Sequence, residues 1–256
     1  MSDAPTVIIT GAGSGIGAAT AKRFARDGYN TVLNGRTREK LESIASEIEG
    51  DRVKIVAGDV SKVEDVDALV AETLDAFGRL DVLVNNAGIA RGGRPGKLSR
   101  DDFQKMQDIN VGGIFNTVTA ALPHLKKSKG NIVNVSSVSG LGGDWGMFGY
   151  NTSKGGVSLM TKGMALDLAG EGVRVNAVAP SLTRTDMADG IMDDDGLLER
   201  FLQRIPMGRP GEPEDLPARL GVDQPGHDGA PELAEVAAAA EGAHHLGRGV
   251  LGAAHP

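Results

Sequence analysis

The sequence predicts an α/β protein with a doubly wound parallel sheet and helices on both of its faces. Two observations predict this class. Short β-branched apolar runs alternate with segments of helical periodicity as far as residue 178, and this alternation is typical of βαβ units. The runs are also apolar on both sides, as in residues 81–85, and such strands are covered on both faces. With 256 residues, of which 40% are hydrophobic, the chain can bury one large core.

The elements follow each other in a regular order. Strands are predicted at residues 6–10, 31–34, 53–57, 81–85, 131–136 and 173–178. Helices are predicted at residues 15–27, 40–48, 63–77, 100–108, 111–126 and 150–169. In the third helix the apolar residues recur at helical spacing, which indicates one buried face. Neither an internal repeat nor an interdomain linker is visible before residue 205, so a single domain is the simplest interpretation.

The composition excludes several classes of protein. The chain has no cysteine, which rules out disulfide scaffolds, thiolate metal sites and thiol nucleophiles. A formal net charge of −7 argues against nucleic-acid binding, which usually requires a basic surface. The first residues lack the basic-then-apolar pattern of a signal peptide, and no apolar run reaches about 18 residues. We therefore expect a soluble, cytoplasmic protein.

A glycine-rich turn joins the first strand to the first helix. It reads Thr10-Gly-Ala-Gly-Ser-Gly-Ile-Gly17. Such a turn lets the backbone approach a pyrophosphate, and the helix N-terminus supplies N–H donors to it. The alternative is a purely structural turn, since 37 of the residues are glycine. We expect a dinucleotide to contact Gly11, Ser14, Gly15, Ile16 and Gly17.

The ends of the second and third strands should contact the adenosine half of the same cofactor. The second strand ends in Asn-Gly-Arg36 without an acidic residue, and arginine here favours the 2′-phosphate of NADP(H) over NAD(H). Arg38 could contribute to the same contact, and the alternative is that both arginines are solvated in the first turn of the next helix. Asp59 and Val60 follow the third strand, where an adenine would lie. Alternatively, Asp59 caps the following helix, with Ser61 as a competitor.

A tyrosine and a lysine are spaced for acid–base chemistry. Tyr150 and Lys154 are four residues apart and so share one face of a helix. Tyrosine is a poor base at neutral pH, but a nearby cation stabilises the phenolate. Ser137 ends the preceding strand and can donate a hydrogen bond to a carbonyl oxygen. Together these side chains predict proton transfer at a carbonyl or alcohol.

In its order and spacing of motifs, the chain resembles the short-chain dehydrogenase/reductase family over residues 5–216. The resemblance implies a Rossmann-type fold, Tyr150 as general acid/base, and Lys154 as the residue that lowers its pKa and binds the nicotinamide ribose. It assigns Ser137 to the substrate oxygen and Asn110 to a water in the proton relay. Further cofactor contacts would come from Asn86, Ala87, Gly88, Thr183 and Thr185. The alternative for Asn86 and its neighbour Asn85 is that they only tie strands together. The resemblance also implies a homo-oligomer, either a tetramer or a dimer.

The segment between Ser137 and Tyr150 should wall the substrate pocket. It is similar to that of family members acting on acetoin or meso-2,3-butanediol, which suggests a small vicinal diol or hydroxyketone. Ser139 or Asp144 could bond a second hydroxyl, and Trp145 could close an apolar pocket. Alternatively, Asp144 caps its own loop and Trp145 packs at a subunit contact. Other candidate functions are a 3-oxoacyl reductase, a sugar-type reductase similar to gluconate 5-dehydrogenases, and a catalytically silent nucleotide-binding scaffold.

The last 40 residues do not fit the family. We expect a catalytic domain over residues 1–216 and an atypical tail over 217–256, where four of the five histidines fall. One explanation is a shift of reading frame near Leu216, and the other is a divergent C-terminus. Within the tail, residues 231–242 are predicted to be helical and 246–251 a strand. We predict no metal site, because His244 and His245 lack a suitably spaced partner.

Overall fold

The computed structural model describes residues 4–217 and, for the backbone alone, residues 236–238. These residues form one seven-stranded sheet in the order β3-β2-β1-β4-β5-β6-β7, and every neighbouring pair of strands is parallel. The strands are β1 (Thr6–Thr10), β2 (Asn30–Gly35), β3 (Val53–Ala57), β4 (Val82–Asn85), β5 (Asn131–Val135), β6 (Arg174–Ala179) and β7 (Val236–Ala238). The predicted Rossmann-type doubly wound sheet is confirmed.

Helices cover both faces of the sheet. They are α1 (Gly15–Arg26), α2 (Arg38–Ser46), α3 (Val63–Phe77), α4 (Arg100–Gln107), α5 (Gly113–Ser128), α6 (Ser139–Gly142), α7 (Phe148–Leu168), α8 (Asp189–Met192) and α9 (Asp195–Leu202). Alternate residues of β1 face opposite layers, because side chains alternate along a strand. Val7 and Ile9 pack with α1 and α2, whereas Ile8 packs with α3, α5 and α7. Both layers are therefore anchored on the same buried strand.

The strand order reverses between β1 and β4. From β1 the chain builds outwards through β2 and β3, and then it crosses to the other side of β1 to build β4, β5 and β6. In open α/β sheets, ligands bind in the crevice that such a reversal opens at the carboxyl ends of the strands. The topology therefore places the candidate site at the ends of β1 and β4.

Three elements differ from their sequence-based predictions. The predicted break between two helices near residue 110 is a π-helical turn, Asp108–Gly112, that joins α4 directly to α5. The segment predicted as a wall loop contains the short helix α6. Residues 236–238 lie within the predicted helix 231–242 but form β7 beside Ala177–Ala179 of β6. Pairing with an open strand edge outweighs the helix preference of this alanine-rich stretch.

The catalytic region extends at least to Leu216, which is 3% exposed and packs in the core layer that contains α1. The predicted strand 246–251 and the His244–His245 pair lie outside the described residues. Within residues 4–217 and 236–238, no helix is both long and apolar enough to cross a bilayer.

Candidate active site

A single cleft of about 910 Å³ runs along the carboxyl ends of the strands. The loops that follow β1 to β6 all contribute to its wall, and α8 and the end of α9 close one side. The cleft brings most of the predicted cofactor residues together with Ser137, Tyr150 and Lys154, whereas Gly17 and Asn110 are not among its lining residues. Those lining it include Gly11, Ser14, Gly15, Ile16, Arg36, Asp59, Val60, Asn86, Ala87, Gly88, Ser137, Ser139, Asp144, Tyr150, Lys154, Thr183 and Thr185.

The glycines of the first turn are required by the turn itself. Gly11 and Gly15 have φ of +65° and +51°, a region that residues with a Cβ rarely adopt. At Gly17, a Cβ would lie 2.2 Å from the carbonyl oxygen of Gly11. At Gly15, it would lie 2.8 Å from Cγ2 of Thr185. The spacing of these glycines is therefore explained by close packing within the protein, before any ligand is considered.

Asn86 ties the end of β4 to this turn. Its Nδ2 donates to the carbonyl oxygens of Thr10 at 2.9 Å and of Gly11 at 3.1 Å. The backbone N–H groups of Asn86 and Ala87 each donate to Thr10 Oγ1 at 3.0 Å. The alternative in which Asn86 ties strands together is therefore realised, and its amide nitrogen is already used within the chain.

The start of α1 offers backbone donors to the cleft. Ser14 precedes the helix, and its side chain makes no capping hydrogen bond. The first turn of α1 contains no acidic residue. Backbone N–H groups at the start of a helix have no partner within the helix and attract anions. This end of the cleft is therefore suited to a phosphate group.

Asp59 stabilises its own turn and does not cap α3. Its Oδ1 accepts from the Ser61 N–H at 3.0 Å and from Ser61 Oγ at 2.7 Å, whereas α3 begins only after Lys62. Partial burial opposes ionisation of Asp59, but these hydrogen bonds and the charge of Arg36 hold the pKa of its carboxyl below the usual value. Arg36 itself is exposed at the edge of the cleft.

Tyr150, Ser137 and Lys154 converge at the other end of the cleft. The hydroxyl of Ser137 lies close enough to Tyr150 to lower the pKa of its phenol. Lys154 is 5% exposed, and its Nζ donates to the Val135 carbonyl oxygen at 2.6 Å. The same Nζ lies 5.9 Å from the centroid of the Tyr150 ring. The predicted one-turn spacing thus places both groups beside the end of β5.

The electrostatics of this pair differ from the expectation. Burial raises the pKa of Tyr150, the hydrogen bond with Ser137 lowers it, and the charge of Asp144 raises it further, so that the net shift is upward. Lys154 is not among the causes. Its own pKa is lowered to about 8 by burial. In the chain alone, desolvation outweighs the expected stabilisation of the phenolate.

Asn110 lies in the π-helical turn and clamps the loop after β4. Its Oδ1 accepts from the Ile89 N–H at 2.8 Å, and its Nδ2 donates to the Ile89 carbonyl oxygen at 2.9 Å. The same Nδ2 also donates to Ser153 Oγ at 2.9 Å. A Cβ on Gly88 would lie 3.2 Å from Asn110 Oδ1 and 3.6 Å from Lys154 Nζ. The side chain of Asn110 therefore holds the cleft wall together beside Lys154.

The loop after β6 returns to the glycine-rich turn. Thr183 Oγ1 donates to the Ser181 carbonyl oxygen at 3.0 Å, and Thr185 lies against Gly15. Lys40 of α2 forms an ion pair of 3.2 Å with Asp186 just beyond Thr185. Both partners of this pair line the cleft.

The predicted substrate wall contains an ion pair that the sequence did not reveal. Asp144 accepts a hydrogen bond from Ser139 Oγ and pairs with Arg204, which follows α9. Both carboxylate oxygens of Asp144 thus already accept a hydrogen bond within the chain. Arg204 lines the cleft, and no spacing pattern relates it to Asp144, 60 residues earlier.

Trp145 does not line the cleft among the described residues. It is 84% exposed, and the Arg204 guanidinium lies 5.4 Å from its ring centroid. The turns at Gly143 and Gly146, with φ of +76° and +70°, leave Asp144 inside and Trp145 outside. The expectation that Trp145 closes the pocket is thus not met in a single chain. In the described part of the chain, no cluster of three or more histidine, aspartate or glutamate side chains could hold a metal ion.

Comparisons with known proteins agree with this architecture. The family model for short chain dehydrogenases matches residues 5–196. The meso-2,3-butanediol dehydrogenase of Serratia marcescens is 42% identical over 216 residues, which are 84% of this chain and 85% of that protein. Neither the family match nor the sequence motifs extend over the last 40 residues.

Two solved structures with bound nucleotides are also similar. A 3-ketoacyl-(acyl-carrier-protein) reductase from Brucella melitensis complexed with NADH has 36% identity and a TM-score of 0.78, covering 84% of this chain and 88% of that one. An actinorhodin polyketide ketoreductase with NADPH has 31% identity and a TM-score of 0.81, covering 85% and 89%. The chain therefore belongs to the short-chain dehydrogenase/reductase family and is an NAD(P)-dependent oxidoreductase.

Proposed function

We propose that the enzyme interconverts a carbonyl and a secondary alcohol, with Tyr150 as the general acid/base. The observation that carries this proposal is the convergence of Tyr150, Ser137 and Lys154 in the cleft that also contains the glycine-rich turn. The family relationship argues against the alternative of a catalytically silent scaffold.

The cleft fits a nicotinamide dinucleotide. Its anion-binding end is the uncapped start of α1 beside Ser14, and Arg36 lies at the adenosine side. Gly15, Ile16, Ala87, Gly88 and Thr185 would hold the cofactor between these ends and Lys154. When bound, the nicotinamide supplies a hydride to the carbonyl carbon or accepts one from the alcohol.

The residues of the chain handle the oxygen and its proton. In reduction, the neutral phenol of Tyr150 donates its proton to the substrate oxygen, and Ser137 donates a hydrogen bond to the same atom. The raised pKa of Tyr150 keeps the phenol protonated at neutral pH, so the chain alone is prepared for carbonyl reduction. In alcohol oxidation, the Tyr150 phenolate must form first, and the positive charges of Lys154 and of an oxidised nicotinamide would have to offset the burial that raises its pKa.

We further propose that NADP(H) is preferred over NAD(H). Arg36 is exposed at the cleft where β2 ends, and an arginine can bind a 2′-phosphate through two parallel hydrogen bonds. The nearby carboxylate of Asp59 already accepts two hydrogen bonds from Ser61 and does not form an acidic ribose site at the end of β2. Lys40 also lines this part of the wall, but its charge is paired with Asp186.

The proposed substrate is a small, neutral vicinal diol or hydroxyketone. The similarity to the meso-2,3-butanediol dehydrogenase supports this class. In the substrate half of the cleft, the charges of Asp144 and Arg204 neutralise each other. Ser139 is the remaining polar side chain among the residues predicted to contact the substrate. The rest of this wall is mainly apolar, with Val138, Leu141, Met147, Leu182, Ile191, Phe201 and Ile205.

A 3-oxoacyl thioester is the second candidate substrate. The Brucella melitensis structure carries the name of a 3-ketoacyl reductase, and the substrate half of the cleft has a largely apolar wall, which also suits an acyl chain. The third candidate is a sugar-type substrate, and its only support is the similarity of residues 34–36 to those of gluconate 5-dehydrogenases.

The experiment is an assay of the purified protein with NADPH and NADH against acetoin, diacetyl and a 3-oxoacyl thioester. We expect the highest kcat/KM with NADPH and a hydroxyketone or diketone. The Tyr150→Phe variant should lose turnover while still binding the cofactor, because only the transferable proton is removed. Turnover retained by this variant would refute the role of Tyr150.

We also propose a homo-oligomer formed through α5 and α7. Phe115 of α5 and Leu159 and Leu166 of α7 are 64%, 72% and 67% exposed in the single chain. Large apolar side chains clustered on a surface mark interfaces, and a dimer or tetramer would cover them.

Finally, we propose that the family-like sequence ends near residue 216 and that the reading frame changes there, although residues 236–238 still add strand β7 to the sheet. Leu216 is still part of the core, whereas the following residues lose the family pattern. Translation of the other two frames beyond codon 216 tests this idea. Absence of a family-like ending from both frames would leave a divergent C-terminus as the explanation.

A further inference from the structure

A chain of hydrogen bonds links the segment after α9 to the catalytic pair. Arg204 pairs with Oδ1 of Asp144 and also donates to the Gly143 carbonyl oxygen at 3.4 Å. Oδ2 of Asp144 accepts from Ser139 Oγ. The Ser139 N–H then donates to Ser137 Oγ at 3.1 Å. Two residues, Asp144 and Ser139, therefore connect Arg204 to the hydroxyl of Ser137 beside Tyr150.

The last bond in this chain determines how Ser137 can act. Ser137 Oγ accepts from the Ser139 N–H, so its own proton is available to another acceptor, and Tyr150 is the neighbouring group whose pKa it lowers. Ser139 is itself held by Asp144, which accepts from its Oγ. Asp144 has a side chain only 7% exposed, and a carboxylate buried to this extent needs a charged partner. Arg204 is that partner.

We propose that Arg204 is a positioning residue for the reaction: through Asp144 and Ser139 it aligns the Ser137–Tyr150 pair, so that seating of α9 and alignment of the pair are one event. This inference rests on the proposed role of Tyr150. Arg204 was not among the residues predicted to be catalytic. Its role would give the side of the cleft formed by α8 and α9 a function in the reaction.

The charges around the pair support an electrostatic component. The charge of Asp144 raises the pKa of Tyr150, and Arg204 compensates that charge. Lys154 faces Tyr150 from the same helix. The loop after β4 and the ends of β5 and β6 contribute uncharged groups to the wall near Tyr150. The remaining charged residues of the described cleft wall belong to its cofactor half or to the loop after β6, and they are Arg36, Lys40, Asp59 and Asp186.

The test compares Arg204→Met with Arg200→Met, an exposed arginine at the end of the same helix. Alcohol oxidation is measured against pH with meso-2,3-butanediol, and cofactor binding and thermal unfolding are checked in each variant. Arg204→Met should lower kcat roughly tenfold and move the rising limb of the pH profile to higher pH, because Asp144 is left uncompensated. Arg204→Lys should recover part of the rate, whereas Arg200→Met should resemble the parent.

Asp144→Asn provides the opposite perturbation. It leaves Arg204 uncompensated, and the limb should then move to lower pH. Shifts in opposite directions are not expected from general structural damage. Shifts in the same direction, or an Arg204→Met variant that matches Arg200→Met in kcat and pH profile, would overturn the proposal.

The Tyr150→Phe control separates this inference from the proposed function. If Tyr150→Phe is inactive and Arg204→Met behaves as Arg200→Met, only the positioning role fails. If Tyr150→Phe remains active, the proposed function itself fails.

Discussion

Replacement of Lys154 by methionine should stabilise the cofactor-free protein while it abolishes catalysis. Burial lowers the pKa of Lys154 to about 8, from 10.5. This difference corresponds to a penalty of about 3 kcal/mol for holding the ammonium in the folded chain at pH 7. Loss of the hydrogen bond to the Val135 carbonyl oxygen costs about 1 kcal/mol. The net gain is about 2 kcal/mol, or roughly 4–8 °C in Tm for a protein of this size.

The dependence on pH identifies the cause. Between pH 8 and 10.5 the unfolded chain holds a proton on Lys154 that the folded chain has released, so the stability of the parent rises with pH over this window. The raised pKa of Tyr150 acts in the opposite sense above pH 10, because the unfolded chain loses that proton first. Urea unfolding from pH 7 to 10 therefore isolates the contribution of Lys154.

The matched control is Lys162→Met, which removes an exposed lysine from the same helix. Lys154→Met should show a flatter pH dependence than the parent, whereas Lys162→Met should retain the parent's slope. A Lys154→Met variant that is less stable than the parent at pH 7, or that keeps the parent's slope, would show that burial of the ammonium is not the dominant energetic term.

Three further predictions concern the cofactor half and the assembly. Arg36→Ala should weaken NADPH binding at least tenfold more than NADH binding, as loss of one bidentate phosphate contact implies. Titration of both cofactors checks this, with Arg38→Ala as the control, and an equal loss for both would contradict the phosphate contact. Gly17→Ala should abolish cofactor binding and lower Tm, because its Cβ would lie 2.2 Å from the Gly11 carbonyl oxygen. Cofactor binding is measured by fluorescence, and binding equal to that of the parent would contradict the close packing at Gly17. Leu159→Glu should reduce the mass measured by light scattering to that of a smaller species, since it buries a charge in the proposed interface, and an unchanged mass would place the interface elsewhere.

The fold could be predicted from the sequence because its strands and helices differ in period. Residues 6–10 and 53–57 have the short β-branched runs of buried strands, and residues 63–77 have the apolar spacing of a helix. These local signals do not require knowledge of the tertiary structure. At residues 236–238 the same approach was wrong, because the open edge of β6 decides the conformation there.

The candidate site was predictable in its members but not in their contacts. Tyr150 and Lys154 share a helix, so their spacing alone places them together. Asp144 and Arg204 meet only because α9 folds back over the loop between α6 and α7, and no local pattern encodes that contact. Desolvation is also invisible in a sequence, and in the chain without cofactor it raises the pKa of Tyr150; the lowering expected from Lys154 and an oxidised nicotinamide stays a prediction.

The order of the strands has a consequence for redesign of the enzyme. The cofactor half of the cleft is built mainly by the loops after β1 to β4 and by Thr185, whereas the substrate half is built mainly by residues 137–150 and 187–206, after β5 and β6. Exchange of these two segments between relatives should therefore transfer selectivity for a new alcohol without changing the cofactor half of the cleft. Since the Asp144–Arg204 pair joins the two segments, a chimaera must take both from the same donor.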